Sequence, residues 1–158
     1  VVLRSAVKLK RSESLIIEGG EIVGECHSCF SMGTDRCSGP PALTLRDVSV
    51  KHTLTSIDRR EVGAAVFVMG KALVVLENVE MSSVGGFALW VKHGGRAVVR
   101  GSTFSSAGRT SVACFNSAKV EVEDSALINA EVHGVCLRGE ASITLRRCTI
   151  AECGDRGA

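Results

Sequence analysis

The chain has 158 residues, 45% of them hydrophobic and 23% charged, which suits one globular domain with a real core. Its net charge of +2 is too close to neutral to argue for nucleic acid or a membrane surface, and no apolar run approaches the roughly 20 residues of a membrane span. Seventeen Gly, two Pro and no Tyr, without any sustained helical stripe, point to many short strands joined by turns.

The chain opens at Val1 rather than Met, so residues 1–158 read as a single domain belonging to a longer protein. Its seven cysteines are an odd number, and several stand in strand-like runs where Val or Leu would serve. That usage favours free thiols in a reducing compartment, cytoplasmic or cytoskeletal.

In chain order, the first apolar pair is Val7 and Leu9 in "AVKLK", and "SLIIEGGEI" follows with Leu15 as its inward residue. "CHSC" at Cys26–Cys29, with Cys37 beyond, has CxxC spacing and a third thiol. A zinc set would recruit His27 or His52, but the second close ligand pair is missing. No metal or other cofactor is therefore expected, and Cys26, Cys29 and Cys37 are weak candidates in or beside a long loop. "ALTLRDVSV" brings the inward Leu43, and "HTLTSIDRREVG", His52 to Gly63, reads as a polar inserted loop. The segments "ALVVLENVEM", "RAVVRGSTF", "AKVEVEDSAL" and "ASITLRRCTI" then repeat one hydrophobic pattern.

Anchored on Leu15, Leu43, Val74, Ala97, Val120 and Ile143, the repeat has intervals of 28, 31, 23, 23 and 23 residues. The two longer intervals carry insertions of 5 and 8. A fixed period in this range signals a solenoid. Within one copy Val74 and Leu76 share a strand face, and parity then breaks at Asn78 before Val79 and Met81. The equivalents of Asn78 are Gly19, Asp47, Gly101 and Asp124, residues that tolerate a left-handed corner, whereas Arg147 breaks the rule. A second break places Val84 inward, with Thr53, Ala107, Ala130 and Cys153 as equivalents. A third strand closes each turn, with inward pairs Val66/Val68, Leu89/Val91, Val112/Cys114 and Val135/Leu137. Val7 and Leu9 hold the same eight-residue offset before Leu15 and read as the end of an earlier rung.

Three strands and three corners per rung of about 23 residues predict an all-β, right-handed parallel β-helix of about six rungs. Outward Arg46, Glu77, Arg100, Glu123 and Arg146 alternate in sign down the stack and would pair across rungs.

The loose motif in "VVLENVEM … GFALWV" and "VEVEDSAL … GVCL" resembles the parallel β-helix repeat group of pectin-lyase-like enzymes, F-box substrate receptors and cytoskeleton-associated scaffolds. The resemblance implies architecture more than function. Pectin-degrading members cluster acidic residues beside Arg, Lys or His on one outward sheet, and no matching acidic pair occurs here. Glu121, Glu123 and Asp124 read as a solvated, paired edge, and His27, His52, His93 and His133 as solvated turn residues.

The outward positions of the third strand form two files. Phe67, Trp90, Ala113 and Cys136 make one, and Met69, Lys92, Phe115 and Arg138 the other. An apolar strip flanked by cations marks an interaction surface. Phe67, Met69, Trp90, Lys92, Phe115 and Arg138 are the expected partner-binding residues, with no catalytic residue assigned. The sequence thus favours a non-enzymatic scaffold binding protein partners or a larger assembly. A carbohydrate-active β-helix with its catalytic rungs elsewhere is the alternative. Neither nucleic acid nor membrane is expected.

Overall fold

Runs of Val, Ile, Leu and Thr fit a pleated, half-buried surface, and the Gly, Asn and Asp between them fit corners. In the computed structural model these runs are strands, and the structure describes residues 1–33, 39–55 and 63–154. The first coil holds β1 (Val2–Leu3), β2 (Val7–Lys10) and β3 (Ser14–Glu18). The second holds β4 (Glu21–Gly24), β5 (Ser28–Gly33) and β6 (Ala42–Arg46). The third has β7 (Ser49–His52), β8 (Ala64–Met69) and β9 (Leu73–Glu77). The fourth has β10 (Glu80–Ser83), β11 (Phe87–Lys92) and β12 (Arg96–Arg100). The fifth has β13 (Thr103–Ala107), β14 (Thr110–Phe115) and β15 (Lys119–Glu123). The sixth has β16 (Ala126–Ile128), β17 (His133–Arg138) and β18 (Ser142–Arg146), and β19 (Thr149–Ala151) follows.

Each strand from β1 to β16 pairs in parallel with the strand three places on, so the coils stack into three sheets. This is the expected right-handed parallel β-helix with three strands per rung. Leu15, Leu43, Val74, Ala97, Val120 and Ile143 stand in one register file. Leu43, Val74, Ala97 and Val120 are fully buried there. Burying one Val or Leu is worth about 1.5–3 kcal/mol, and each coil contributes several. Leu137, Leu145 and Ile150 lie in register with buried Cys114, Val122 and Leu127, yet are 46%, 40% and 45% exposed. Among the described residues no strand stacks on their far side.

The first corner is left-handed in all six copies, with φ of 73°, 54°, 52°, 57°, 49° and 49° at Gly19, Asp47, Asn78, Gly101, Asp124 and Arg147. Arg147 therefore obeys the conformation its residue type had argued against. Its Nε and Nη2 donate to the Asp124 carboxylate below, at 2.6 and 3.0 Å, which offsets part of the strain. The charge ladder is also present. Arg46 joins Glu18 and Glu77, and Arg100 lies between Glu77 and Glu123. Its last cation is Arg147 rather than the expected Arg146.

The second parity break differs from expectation. Val84 is 55% exposed and Thr53 is exposed, while Ser83 and His52 point inward. The register of β10 against β13 slips after Met81, so that Ser83 pairs with Ala107 across one extra residue. Ala107 and Ala130 are inward as predicted, and the earlier rungs simply reach the corner one residue sooner.

His52 consequently ends β7 inside the stack, 1% exposed, and is not a solvated turn residue or part of a loop. Its Nε2 lies 2.7 Å from the Cys26 carbonyl oxygen, which only accepts, so Nε2 carries the proton. Nδ1, 2.8 Å from Ser83 Oγ, then accepts the serine hydroxyl. Residues 56–62 of the inserted segment lie outside the described residues.

Gly86 opens the third strand because the coils touch there. A Cβ at Gly86 would sit 2.0 Å from the Gly63 carbonyl oxygen, the same oxygen that accepts the Phe87 N–H at 3.0 Å. Gly101 has the opposite reason: φ is +57° and nothing lies within 4 Å of its missing Cβ. Gly86→Ala should cost about 2–3 kcal/mol by overpacking, and Gly101→Ala about 1 kcal/mol by left-handed strain alone. Urea unfolding of the two variants measures both, and equal costs would contradict the close approach.

Burial holds the His52 imidazole below its ordinary 6.5, more strongly than the bond to the Cys26 carbonyl raises it. The unfolded chain takes up a proton near 6.5, whereas the folded chain resists until lower pH. Stability is therefore full above 6.5 and falls as pH drops below it. Hydrogen bonds from Lys51 and Arg147 hold the Glu21 and Asp124 carboxyls below their ordinary 4.5 and 3.8, so those groups act only at more acid pH. His52→Gln keeps a donor for Cys26 and an acceptor for Ser83 without titrating. It should flatten the loss of urea resistance between about pH 7 and 5; an unchanged slope would remove His52 as its source.

Candidate functional site

The sheet of β2, β5, β8, β11, β14 and β17 carries the outward files inferred from the sequence. Phe67, Trp90, Ala113 and Cys136 are successive register partners, as are Met69, Lys92, Phe115 and Arg138. Inward neighbours such as Val66, Val68, Leu89 and Val91 are wholly buried, which fixes the outward direction of the residues between them.

The rings form one cluster rather than an open strip. Phe67 and Trp90 have centroids 5.0 Å apart at 56°, and Trp90 and Phe115 meet edge-on at 6.2 Å. Phe87, which the sequence reading did not select, completes it at 5.0 Å from Trp90 and 6.4 Å from Phe115. Such tilted and edge-to-face pairs each add about 0.5–1.5 kcal/mol beyond area burial. Ala113 lies fully buried in this cluster with Ala64 and Phe87. Met69 is half-buried, keeps its register beside Lys92, and is not part of the ring cluster.

Cations cap the rings. Lys92 Nζ lies 4.8 Å from the Trp90 centroid and 5.3 Å from that of Phe67. Arg138 stands over Phe115 at 5.5 Å, and Arg109, also outside the sequence selection, over Phe87 at 5.9 Å. Arg109 sits in the corner before β14, where parity could not assign it a face. Between these groups lies a cleft of about 290 Å³ walled by Phe87, Trp90, Phe115, Arg109, His133 and Arg138. Trp90 Nε1 is buried without an acceptor, a condition that costs about 1–3 kcal/mol. No Asp or Glu occupies an outward position on the described strands of this sheet.

The other candidates are dispersed. The Cys26 thiol donates to the Ser28 carbonyl at 3.0 Å. Cys29 is on β5, in the core and not in a loop, and burial pushes its thiol up to about 12. Cys37 lies outside the described residues. Among the described residues no three His, Cys, Asp or Glu side chains are arranged to hold a metal ion. On the neighbouring sheet Glu77 and Glu123 are ion-paired, and Glu121 lies in register between Val98 and Thr144. A general-acid and nucleophile pair of carboxylates does not form there.

Coils of three parallel strands around a stacked apolar column, with one outward sheet bearing a ring cluster, define a β-solenoid with a differentiated face. The profile of the right-handed beta helix region family matches residues 36–158, and the chain belongs to that family. No curated protein and no solved structure gives a significant match. Among the described residues no helix is long and apolar enough to cross a membrane.

Trp90 is the only tryptophan, so its emission reports on the cluster. Phe87→Ala removes a ring that is 8% exposed and should red-shift that emission and increase acrylamide quenching. The accompanying stability loss should be about 3 kcal/mol. An emission spectrum identical to that of the parent would contradict the packing of Phe87 on Trp90.

Proposed function

We propose that the chain is a non-enzymatic recognition module that binds a protein partner, as a scaffold or as part of a larger assembly, through the outward face of β8, β11, β14 and β17. The observation that carries this reading is the cluster of Phe67, Phe87, Trp90 and Phe115 rimmed by Lys92, Arg109 and Arg138. Aromatic residues and Arg are the side chains enriched where protein interfaces concentrate their energy. The parallel sheet beneath gives them a rigid support, so little ordering cost falls due on binding. Cys29 and Cys114 serve as small apolar core residues, a use that fits a reducing, cytoplasmic or cytoskeletal setting.

A carbohydrate ligand would stack on open ring faces, and here Lys92, Arg109 and Arg138 stand over them. The ion pairing of Glu77 and Glu123 on the neighbouring sheet likewise supports binding over hydrolysis.

Affinity capture from extract with the parent chain, a Phe67→Ser/Trp90→Ser/Phe115→Ser variant and a control Arg46→Ala variant tests this. The triple variant, checked for a parent-like circular dichroism spectrum, should lose its specific partners by at least tenfold, since anchor rings contribute about 2 kcal/mol or more each. The control, altered on another sheet, should keep them. Retention of every partner by the triple variant removes the face as the binding site.

A further inference from the structure

On the strands of the sheet formed by β2, β5, β8, β11, β14 and β17 the outward charges all have one sign, while its corners also carry the exposed acids Glu131 and Glu140. Lys8 and Lys10 stand on β2, Lys92 on β11 and Arg138 on β17, with Arg109 at the corner before β14. Among the described residues neither Lys92, Arg109 nor Arg138 has an acidic partner within ion-pair distance. Each instead lies against a ring of the cluster. On the other sheets Arg46, Lys51, Arg100 and Arg147 are ion-paired.

We propose that the cleft receives an acidic protein segment, with one apolar side chain entering between Phe87, Trp90 and Phe115 and flanking carboxylates meeting Arg109, Arg138 and Lys92. This rests on the recognition face described above and names the chemistry of its partner. The cleft of about 290 Å³ lies at the bottom of the usual range for small-molecule sites, roughly 300–1,000 Å³, and suits a single side chain. Lys92 and Arg138 are two strands apart, about 10 Å, within reach of acidic side chains a few residues apart in one segment. A single-stranded nucleic acid, which also seeks cations and aromatics, needs ring faces open for base stacking, and these carry cations.

Selection of a random 12-residue phage-displayed library on the immobilised chain, followed by fluorescence anisotropy of labelled selected peptides, tests the proposal. Selected peptides should combine Asp or Glu with a large apolar residue, and should weaken as sodium chloride is raised from 50 to 300 mM. An Arg109→Gln/Arg138→Gln variant, altered only at exposed positions, should bind them about tenfold more weakly. Lys8→Gln/Lys10→Gln, on the same sheet but far from the cleft, should bind them as the parent does. Peptides lost on Trp90→Ser but kept by the double Arg variant overturn the acidic chemistry while leaving the face as the binding surface. Peptides indifferent to both changes overturn both readings. Selection of neutral or basic peptides, or no enrichment, overturns the proposal. So does tighter binding of a labelled decauridylate or of polygalacturonate to the parent chain.

Discussion

A coil of this chain cannot bury its inward side chains by itself; it buries them only against the coils above and below. That obligation fixes side-chain direction at each rung and leaves identity nearly free. Val74, Ala97, Val120 and Ile143 share little beyond being apolar, yet they stack as register partners at the strand spacing of about 4.8 Å. Backbone hydrogen bonds between parallel strands hold that spacing, and the apolar column supplies the free energy that keeps the coils together. Every other feature, including the outward files, inherits its geometry from this stacking.

Corners are where the obligation becomes chemical rather than geometric. A chain that turns inside a stack leaves N–H groups facing the interior, and each needs an acceptor. Val79 N–H donates to Ser102 Oγ at 3.0 Å, and Ser102 N–H to Ser125 Oγ at 3.1 Å, so hydroxyls climb one corner as a file. Each serine returns its own proton to a carbonyl two residues back, Arg100 for Ser102 and Glu123 for Ser125, which completes the pairing. At another corner His52 spans from the Cys26 carbonyl to Ser83 and joins two coils through one ring. Ser102, Ser125 and His52 are thus held in the column by bonds to backbone groups, and Ser83 by the His52 ring.

The difference between column and corner explains what could be read from the residues alone. Strand parity is a strict two-residue alternation, so the anchors, the inward pairs of the third strand and both outward files were visible before any coordinates. Corners have no such period. β7 and β10 keep strict alternation to His52 and Ser83, whereas β13 takes up one extra residue at Ser105 before Ala107, and no composition rule announces such a bulge. Phe87 was missed for the same reason. Strict alternation from Trp90 assigns it inward, but at the start of β11 Ala88 and Leu89 both join the column, and this break turns Phe87 onto the face beside Ala64. Arg147 keeps the corner position that the repeat assigned to it although its residue type is unusual there; residue type predicts the cost of a left-handed conformation, not whether a neighbour such as Asp124 compensates it.

The ring cluster draws its properties from the same architecture. Residues 23 positions apart in the sequence become neighbours on one sheet, so Phe67, Trp90 and the corner-placed Phe87 meet without any local motif. A file of bare rings on a flat sheet would invite non-specific association. Here a cation lies over each ring, gaining about 0.5–1 kcal/mol from the ring quadrupole while keeping its charge toward solvent. That contact narrows the positions open to Lys92, Arg109 and Arg138 before anything binds. In the proposed binding mode, the entropy of holding these three long side chains would thus be partly met in advance. The rings act less as stacking platforms than as pedestals for charge. Their placement by rung period and corner, rather than by loops, makes the pedestal as rigid as the stack beneath it.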